Sequence, residues 1–278
     1  MADLGRVKSD ARDNLGDKKN SLIPRKVGEE EFDNIIPEVA QYGRIQFWDD
    51  RYLNEPEPFE WFHPYEYYRD SILDAIDLES KVLIAGCGTS NMPEDMAMDG
   101  YKNVIAQDIS RVAIKMQQTR CQHIPEISYM TGNMTDMDLE EETMDAVIDK
   151  GLLDALLCSS MGETVVAQYV NEVIRILSPT GTFICISSLT PEECLPLLEQ
   201  FDIDEPFYTP WLIEVQGTLK PKMFENEVMN PDDPDHLYWI YIAQKKELMV
   251  HNKKIKENKL KKKKAKKGKK ATIKAPNL

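Results

Sequence analysis

The chain has 278 residues, of which 42% are apolar, and this suits one domain with a sizeable core plus tails. No apolar run approaches the roughly 18 residues that a membrane span needs. The net charge of −14 is uneven, because the residues from Lys245 onwards carry +13 and the first 244 residues therefore carry −27. An acidic body repels nucleic-acid phosphates and attracts basic protein surfaces, although the charge could equally serve only to solvate the surface.

Residues 1–40 are polar and charged, and they predict a flexible N-terminal segment. The first 19 residues include four aspartates and no apolar core, so we expect neither a signal peptide nor a transit peptide, and hence a cytoplasmic protein. The cysteines form no CxxC pair, which predicts reduced thiols and no metal site. The five are Cys87, Cys121, Cys158, Cys185 and Cys194.

Residues 41–245 are predicted to form the folded domain, which begins with an aromatic-rich stretch over 41–68. Strands are predicted over 81–86, 103–108, 127–132, 144–151, 181–188, 211–219 and 236–244. Helices are predicted over 65–77, 92–100, 110–121 (capped by Ser110), 163–177 and 191–201. Strands that alternate with helices, followed by a final strand pair, indicate an α/β fold. It would be a doubly wound, Rossmann-like seven-stranded sheet, mostly parallel with one antiparallel strand. Residues 246–278 form a lysine-rich tail that is predicted to be disordered.

The first predicted strand runs into the turn of VLIAGCGTSN, residues 82–91. Gly86 and Gly88 let the backbone turn sharply and approach a ligand. Short Gly-x-Gly turns are also common between secondary-structure elements that bind no ligand. Asp108 follows Gly88 by 20 residues at the end of the next strand, where a carboxylate can hold ribose hydroxyls. A dinucleotide fingerprint would need a third glycine at Asn91. Its absence points away from NAD and towards S-adenosylmethionine (AdoMet), which has no phosphate.

The next two predicted strands also end in polar residues. Asn133 and Met134 fall where an adenine ring would lie, with the amide on its edge and the thioether on its face. Asp149 and Lys150 sit at the end of the fourth strand, over the same cleft. Ordinary turn polarity is the alternative explanation for Asp149 and Lys150.

Five segments, taken in this order, resemble one known family. They are FWDDRYLNEPEPFEWF, VLIAGCGTSN, QDIS, GNMTDM and DAVIDKGLLDALL. The family is the class I, seven-β-strand methyltransferases grouped with methyltransferase-like protein 13 and the lysine methyltransferases of eukaryotic elongation factor 1A. The resemblance covers about residues 41–245, and the DKG-x-LDA stretch is its most specific part. It implies an AdoMet-dependent protein-lysine N-methyltransferase.

By this resemblance, Gly86 and Gly88 would pass under the methionine part of AdoMet. Asp108 would hold the ribose, and Ile109 would pack on the adenine. Asn133 departs from the family, which usually has Asp there, but its amide oxygen can still accept a hydrogen bond from the adenine amine.

The resemblance also implies that Met134 contacts the adenine and that Lys150 lines the site. Trp48, Tyr52 and Trp61 would cover the cofactor from the N-terminal side. This agrees with their chemistry, because aromatic faces attract a cation such as a sulfonium by about 0.5–2 kcal/mol. The alternative is a plain hydrophobic lid.

A lysine acceptor must be neutral to react, yet the pKa of free lysine is about 10.4. We expect Asp149 or Asp154 to orient the amine, and a desolvated slot to favour its neutral form. The family implies elongation factor 1A as the substrate, with citrate synthase as the runner-up. Another protein, a small molecule, a non-catalytic AdoMet-fold scaffold and, least favoured, a nicotinamide oxidoreductase stay open. The tail could contact RNA or another polyanion, act as a nuclear signal, or fold back on the acidic body.

Overall fold

The computed structural model describes residues 42–199, 211–222, 224 and 227–246. The predicted flexible segment over 1–40 and nearly all of the predicted tail lie outside these residues. The strands are β1 (Lys81–Ala85), β2 (Asn103–Asp108), β3 (Ile127–Thr131), β4 (Met144–Lys150), β5 (Leu177–Ser187), β6 (Trp211–Leu219) and β7 (Leu237–Lys245). The helices are α1 (Ile45–Asn54), α2 (Arg69–Ala75), α3 (Met92–Asp99), α4 (Arg111–Arg120), α5 (Leu152–Leu157), α6 (Gly162–Ile176) and α7 (Pro191–Leu198). Short 3-10 turns cover Tyr65–Tyr67 and Pro234–His236.

The seven strands form one sheet in the order β3-β2-β1-β4-β5-β7-β6. Neighbours from β3 to β5 are parallel, whereas β7 runs antiparallel to both β5 and β6. This confirms the predicted doubly wound sheet with one antiparallel strand. The order reverses between β1 and β4, so a crevice opens at the carboxyl ends of these strands, which is where such folds bind ligands.

Two apolar layers cover the faces of the sheet. Ile84 of β1 packs with Tyr68 and Met96 on one face, whereas Leu83 packs with Tyr169 and other residues of α6 on the other. Since both faces of β1 are buried, the strand reads as an unbroken apolar run. The glycine turn that follows it therefore lies at a fixed edge of the core.

The structure differs from the sequence prediction around Leu177. We expected Pro179 and Gly181 to separate a helix from a strand that starts at 181, but β5 begins at Leu177, directly after α6. The pairing of β4 with β5 shifts register between Met144 and Ala146, and this irregularity accommodates the extra residues.

The helix predicted over 65–77 is divided into a 3-10 turn and α2, and two helices were not predicted. The unpredicted α5 has six residues, too few to show a periodicity. The unpredicted α1 has buried aromatic residues, Trp48 and Tyr52, four positions apart, so it presents one apolar face.

Ser110 caps α4 as predicted, because its hydroxyl accepts a hydrogen bond from the Ala113 N–H at 3.1 Å. We expect Ser110→Ala to lower the free energy of unfolding by about 1 kcal/mol, the usual cost of losing a cap. Urea unfolding of the two proteins measures this difference. Thr119→Ala, an exposed hydroxyl on the same helix, should change stability by less than about 0.5 kcal/mol. Equal effects of the two substitutions would contradict the capping role.

Candidate cofactor-binding site

A cleft of about 880 Å³, including open solvent at its mouth, lies over the carboxyl ends of β1, β2 and β4. The lining includes every residue that we expected to contact a cofactor: Trp48, Tyr52, Trp61, Gly86, Gly88, Asp108, Ile109, Asn133, Met134 and Lys150. Asp149 and Asp154, the two expected catalytic residues, are not part of the lining.

The floor of the cleft is the turn after β1. Gly86 and Gly88 have φ values of +61° and +51°, which side-chain-bearing residues rarely adopt. A Cβ on Gly88 would also lie 2.8 Å from the Tyr52 Oη, and one on Gly86 would lie 3.0 Å from the Leu152 side chain. Both positions therefore need glycine for conformation as well as for space.

Asp108 ties this turn to the next strand. Its Oδ2 accepts from the Gly88 N–H at 2.8 Å, and its Oδ1 accepts from the Ser110 N–H at 2.8 Å. Burial raises the pKa of Asp108 to about 6, while the two backbone donors act in the opposite direction. The carboxyl is therefore mainly ionised at neutral pH, and each oxygen keeps a lone pair for a ligand hydroxyl.

Gln107 is a site residue that we did not predict. Its Oε1 accepts from the Gly86 N–H at 3.1 Å, and its Nε2 donates to the Gly132 carbonyl. The side chain thus joins the ends of three strands beneath the cleft. In the sequence, the one indication of this role was that Gln107, an uncharged polar residue, stands at the end of the apolar run in NVIAQD.

Two residues of α4 hold the carbonyl groups of the turn. Gln117 Nε2 donates to the carbonyls of Gly88 and Ser90 at 3.1 and 2.7 Å. Arg120 donates to the carbonyls of Thr89 and Ser90 at 3.1 and 2.9 Å. Nothing in the local sequence indicates these contacts, because they span about 30 residues.

The aromatic residues form a cover on one side of the cleft, which we call the lid: helix α1 together with residues 59–62. The Trp48 ring stacks on Tyr52 at 5.9 Å and meets Trp61 edge-on at 6.3 Å. The Trp48 indole N–H donates to the Tyr42 carbonyl at 2.7 Å, and the Ser110 hydroxyl donates to Asp49. The contact with Ser110 and the packing of Trp48 and Tyr52 on Ala113 hold the lid against α4.

Met134 and Asn133 occupy opposite environments at the end of β3. Met134 is buried against the apolar layer, whereas Asn133 is exposed at the mouth of the cleft. The Asn133 amide oxygen accepts from the Thr135 N–H at 3.0 Å, within its own turn. A contact with an adenine amine would use the second lone pair of this oxygen.

Lys150 lines the cleft, but its ammonium is already bound to the lid. Its Nζ donates to Glu60 Oε2 and to the Trp61 carbonyl, both at 2.8 Å. Burial lowers the pKa of Lys150, and the Glu60 carboxylate opposes this. Glu60, which we did not predict, also accepts from the Ser90 hydroxyl at 2.8 Å and the Asn91 N–H at 2.7 Å.

These contacts decide which kind of cofactor fits. Lys150 is the one lysine or arginine among the described lining residues, and its donors face the lid. A pyrophosphate would therefore meet no uncommitted cation, and the Asn91 N–H is also taken. A carboxylate for ribose hydroxyls, apolar side chains for an adenine and aromatic rings for a sulfonium fit AdoMet. Within the described ranges, no group of three or more metal-ligating side chains is placed to hold a metal ion.

The expectation that Asp149 orients the substrate amine does not fit its position. Its Oδ1 accepts from the Leu152 N–H at 2.7 Å, and its Oδ2 accepts from the Leu153 N–H and the Tyr169 hydroxyl at 3.0 and 2.9 Å. The reason is the alternation of side chains along β4, which directs Lys150 and Asp149 to opposite faces of the sheet. Asp149 holds the start of α5 from within the core.

Asp154 lies on the other side of α5, towards the end of β5. Its Oδ1 accepts from the Ser188 N–H at 3.0 Å and from the Ser188 hydroxyl at 2.8 Å. The residue is only 4% exposed, and it is separate from the lining of the cleft.

The fold and the site together define a methyltransferase domain. Residues 83–185 match the family described as "Methyltransferase domain". The crystal structure of the [4+2]-cyclase SpnF is similar with a TM-score of 0.53 and 13% identity, over 75% of this chain and 96% of that one. At this identity the likeness shows the fold alone.

The more specific relationship comes from curated relatives. EEF1A lysine methyltransferase 4 of Bos taurus is 31% identical over 170 residues, which are 56% of this chain and 67% of that protein. The Mus musculus protein of the same name is 33% identical over 161 residues, 54% of this chain and 63% of that protein. The chain belongs to the family of EEF1A lysine methyltransferase 4.

A second group of relatives is much longer. The human "eEF1A lysine and N-terminal methyltransferase" is 31% identical over 159 residues, which are 55% of this chain but 23% of that protein. The matched region is thus about two thirds of the shorter relatives and about a quarter of the longer ones. In the part of the chain that the structure describes, no helix has the length and apolar character to span a membrane.

The ion pair of Glu60 and Lys150 should couple the lid to β4. We expect Lys150→Met to destabilise the protein by about 1–3 kcal/mol, because the partly buried Glu60 carboxylate would lose its charged partner. Adding Glu60→Gln should recover part of that loss, and a double-mutant cycle in urea measures the coupling. The control Glu55→Gln removes an exposed partner of Arg51 at 3.4 Å and should cost less than about 1 kcal/mol. A coupling near zero would show that the pair of Glu60 and Lys150 does not hold the lid to β4.

The buried carboxyl of Asp149 should make stability depend on pH. Burial raises the pKa of Asp149 to about 7, whereas an unfolded aspartate titrates near ~3.9. Between these values the folded state binds a proton that the unfolded state lacks, so the free energy of unfolding falls as pH rises. Asp149→Asn should make this slope less steep by up to about 1.4 kcal/mol per pH unit.

Urea unfolding at pH 5, 6 and 7 measures the slope, with the exposed Asp74→Asn as the matched control. If Asp149→Asn and the wild type have parallel pH profiles, the Asp149 carboxyl is ionised throughout this range.

Proposed function

We propose that this protein is an AdoMet-dependent protein-lysine N-methyltransferase that acts on elongation factor 1A. The observation that carries the proposal is the lidded cleft, in which Asp108 offers a carboxylate and no lysine or arginine of the described lining is left for a phosphate. The names of the relatives supply the substrate: they are lysine methyltransferases of EEF1A.

Different residues of the cleft would contact different parts of the cofactor. Asp108 would accept hydrogen bonds from the ribose hydroxyls, and Ile109 and Met134 would pack against the adenine. Trp48 and Trp61 would exclude water and stabilise the sulfonium charge. When bound, AdoMet supplies an electrophilic methyl group, and the protein contributes mainly alignment and the exclusion of water.

The acidic charge near the cleft supports a basic protein substrate. Since β6 ends and β7 begins at the carboxyl edge of the sheet, the segment that connects them also lies at this edge. Its described acidic residues are Glu227, Asp232, Asp233 and Asp235. Such a rim would steer a lysine-bearing basic surface towards the edge where the cofactor would bind.

Two further parts of the proposal rest on the sequence alone. We place the activity in the cytoplasm, as expected for an enzyme that acts on an elongation factor. Contact of the lysine-rich tail with RNA or another polyanion is proposed from its charge only, because the tail after residue 246 lies outside the described residues.

Two measurements test the proposal. Calorimetry measures AdoMet binding, and mass spectrometry detects methyl transfer to purified elongation factor 1A. We expect micromolar binding and the addition of a methyl group to a lysine. Asp108→Ala should weaken cofactor binding by about 10²-fold or more, because it removes a charged acceptor for two hydroxyls. Asp74→Ala, an exposed aspartate on α2, is the matched control and should bind as the wild type does.

Each outcome has a distinct meaning. Binding without transfer would overturn elongation factor 1A as the substrate while keeping the cofactor assignment. Absence of binding in the wild type would contradict the enzyme itself and favour a scaffold role. Equal losses in Asp108→Ala and Asp74→Ala would contradict the role of Asp108.

A further inference from the structure

The carboxyl of Asp154 is only half satisfied. Two donors of Ser188 hold its Oδ1, and the Ser187 hydroxyl lies close enough to lower the pKa of the carboxyl, whereas its Oδ2 is buried and makes no hydrogen bond of standard geometry with the described residues. An unpaired buried oxygen costs about 1–3 kcal/mol, and more when it is charged. Native structures keep such groups rarely, and a missing ligand is one common reason.

The surroundings of Asp154 suit a lysine head group. Lys220, just after β6, has its Nζ 5.3 Å from the centre of the Tyr238 ring and donates to the Asp235 carbonyl at 2.9 Å. Burial lowers the pKa of Lys220, and the carboxylates of Asp235 and Asp154 oppose this. A lysine ammonium of the protein itself therefore already lies in the field of Asp154, beside an aromatic ring.

This corner adjoins the cofactor cleft. Helix α5 carries Asp154, and its residues Leu152, Ala155 and Leu156 line the cleft. Phe62 marks the boundary: its φ is +62°, a conformation that bulky residues rarely adopt, and its ring lies 4.6 Å from that of Tyr238. Strain of this kind is often found at functional sites.

The topology assigns the two halves of the edge different roles. Helix α1 of the lid packs on α4, and residues 60 and 61 of the lid bind Lys150 at the end of β4, so the lid covers the half over β1, β2 and β4. The other half, over β5 and β7, holds Ser188 just after β5 and Tyr238 near the start of β7, and Asp154 of α5 reaches this half through its hydrogen bonds with Ser188. A methyl acceptor would reach the cleft from this second half.

We propose that the free oxygen of Asp154 binds the ε-amine of the substrate lysine and orients it towards the cofactor cleft. This inference rests on the proposed function. The ligand class is a primary alkyl ammonium or its neutral amine, which donates an N–H to Oδ2. Ser188 is the positioning residue, because its two donors fix the carboxyl group. The rival explanation is that Asp154 serves only to hold Lys220.

Asp154→Asn is the decisive variant. It keeps the shape and the oxygen that accepts from Ser188, but it replaces the free oxygen by an NH₂ group that cannot accept from an amine. We expect kcat/KM for elongation factor 1A to fall by about 10²-fold, as for a misplaced reactant. The Kd for AdoMet should stay within twofold, and the matched control Asp74→Asn should behave as the wild type. Unchanged kcat/KM in Asp154→Asn would overturn the inference and leave the enzyme assignment intact.

Lys220→Met separates the proposal from its rival. If Asp154 only holds Lys220, then Lys220→Met should reproduce the loss, and the double variant should lose nothing further, which would overturn the inference. If Asp154 binds the substrate, Asp154→Asn should still cost about 10²-fold in the Lys220→Met background. Should Asp154→Asn fail to fold, Ser188→Ala gives the milder test: a fall in kcat/KM at constant AdoMet affinity supports the inference, and no change overturns it.

If the wild type transfers no methyl group, the proposed function is wrong. A binding measurement then tests separately whether Asp154 binds an amine. The protein, labelled with ¹³C at its aspartate carboxyls and saturated with S-adenosylhomocysteine, is titrated with n-butylammonium chloride. The Asp154 resonance, assigned by its absence in Asp154→Asn, should shift with this probe and not with n-butanol. An unmoved resonance, or equal shifts with both probes, would overturn the inference.

Discussion

One partly buried carboxylate, that of Glu60, connects the three parts from which the cleft is built. It binds the ammonium of Lys150 at the end of β4, the Ser90 hydroxyl and the Asn91 N–H beyond the glycine turn, and it belongs to the lid itself. Because both charges of the pair are largely buried, separating them is costly. The lid is therefore part of the folded domain, and the cleft has a cover before any ligand enters.

The acidic groups at the carboxyl edge of the sheet share a second constraint. Asp108, Asp149 and Asp154 are all buried, and burial raises the pKa of each. Backbone N–H groups compensate in every case: Asp108 and Asp149 fix the starts of the helices that follow them, whereas Asp154 holds the segment that follows β5. The three carboxyls differ in the direction of their remaining lone pairs. Those of Asp108 face the cleft, those of Asp149 face the core, and those of Asp154 face the region near β5 and β7.

Much of this arrangement could be predicted from the sequence, because parallel strands place their ends side by side. Gly88 and Asp108 were recognisable from the strand pattern and a spacing of 20 residues. Asp149 was misjudged, since one step along a strand reverses the face to which a side chain points. Glu60 could not be found in this way, because its contact with Lys150 spans 90 residues and leaves no local pattern.

The direction of β7 has a practical consequence. It starts at the edge that bears the cleft and runs antiparallel to its neighbours, so Lys245 ends about 27 Å away at the opposite edge, given ~3.4 Å per residue. There the Lys245 ammonium donates to the carbonyls of Ile174 and Leu177, which anchors the exit of the chain. In a protein shortened to end at residue 246, a fusion partner or a surface attached at that end would therefore join the domain on the side away from the cleft. Immobilised protein would present its cleft to the solution.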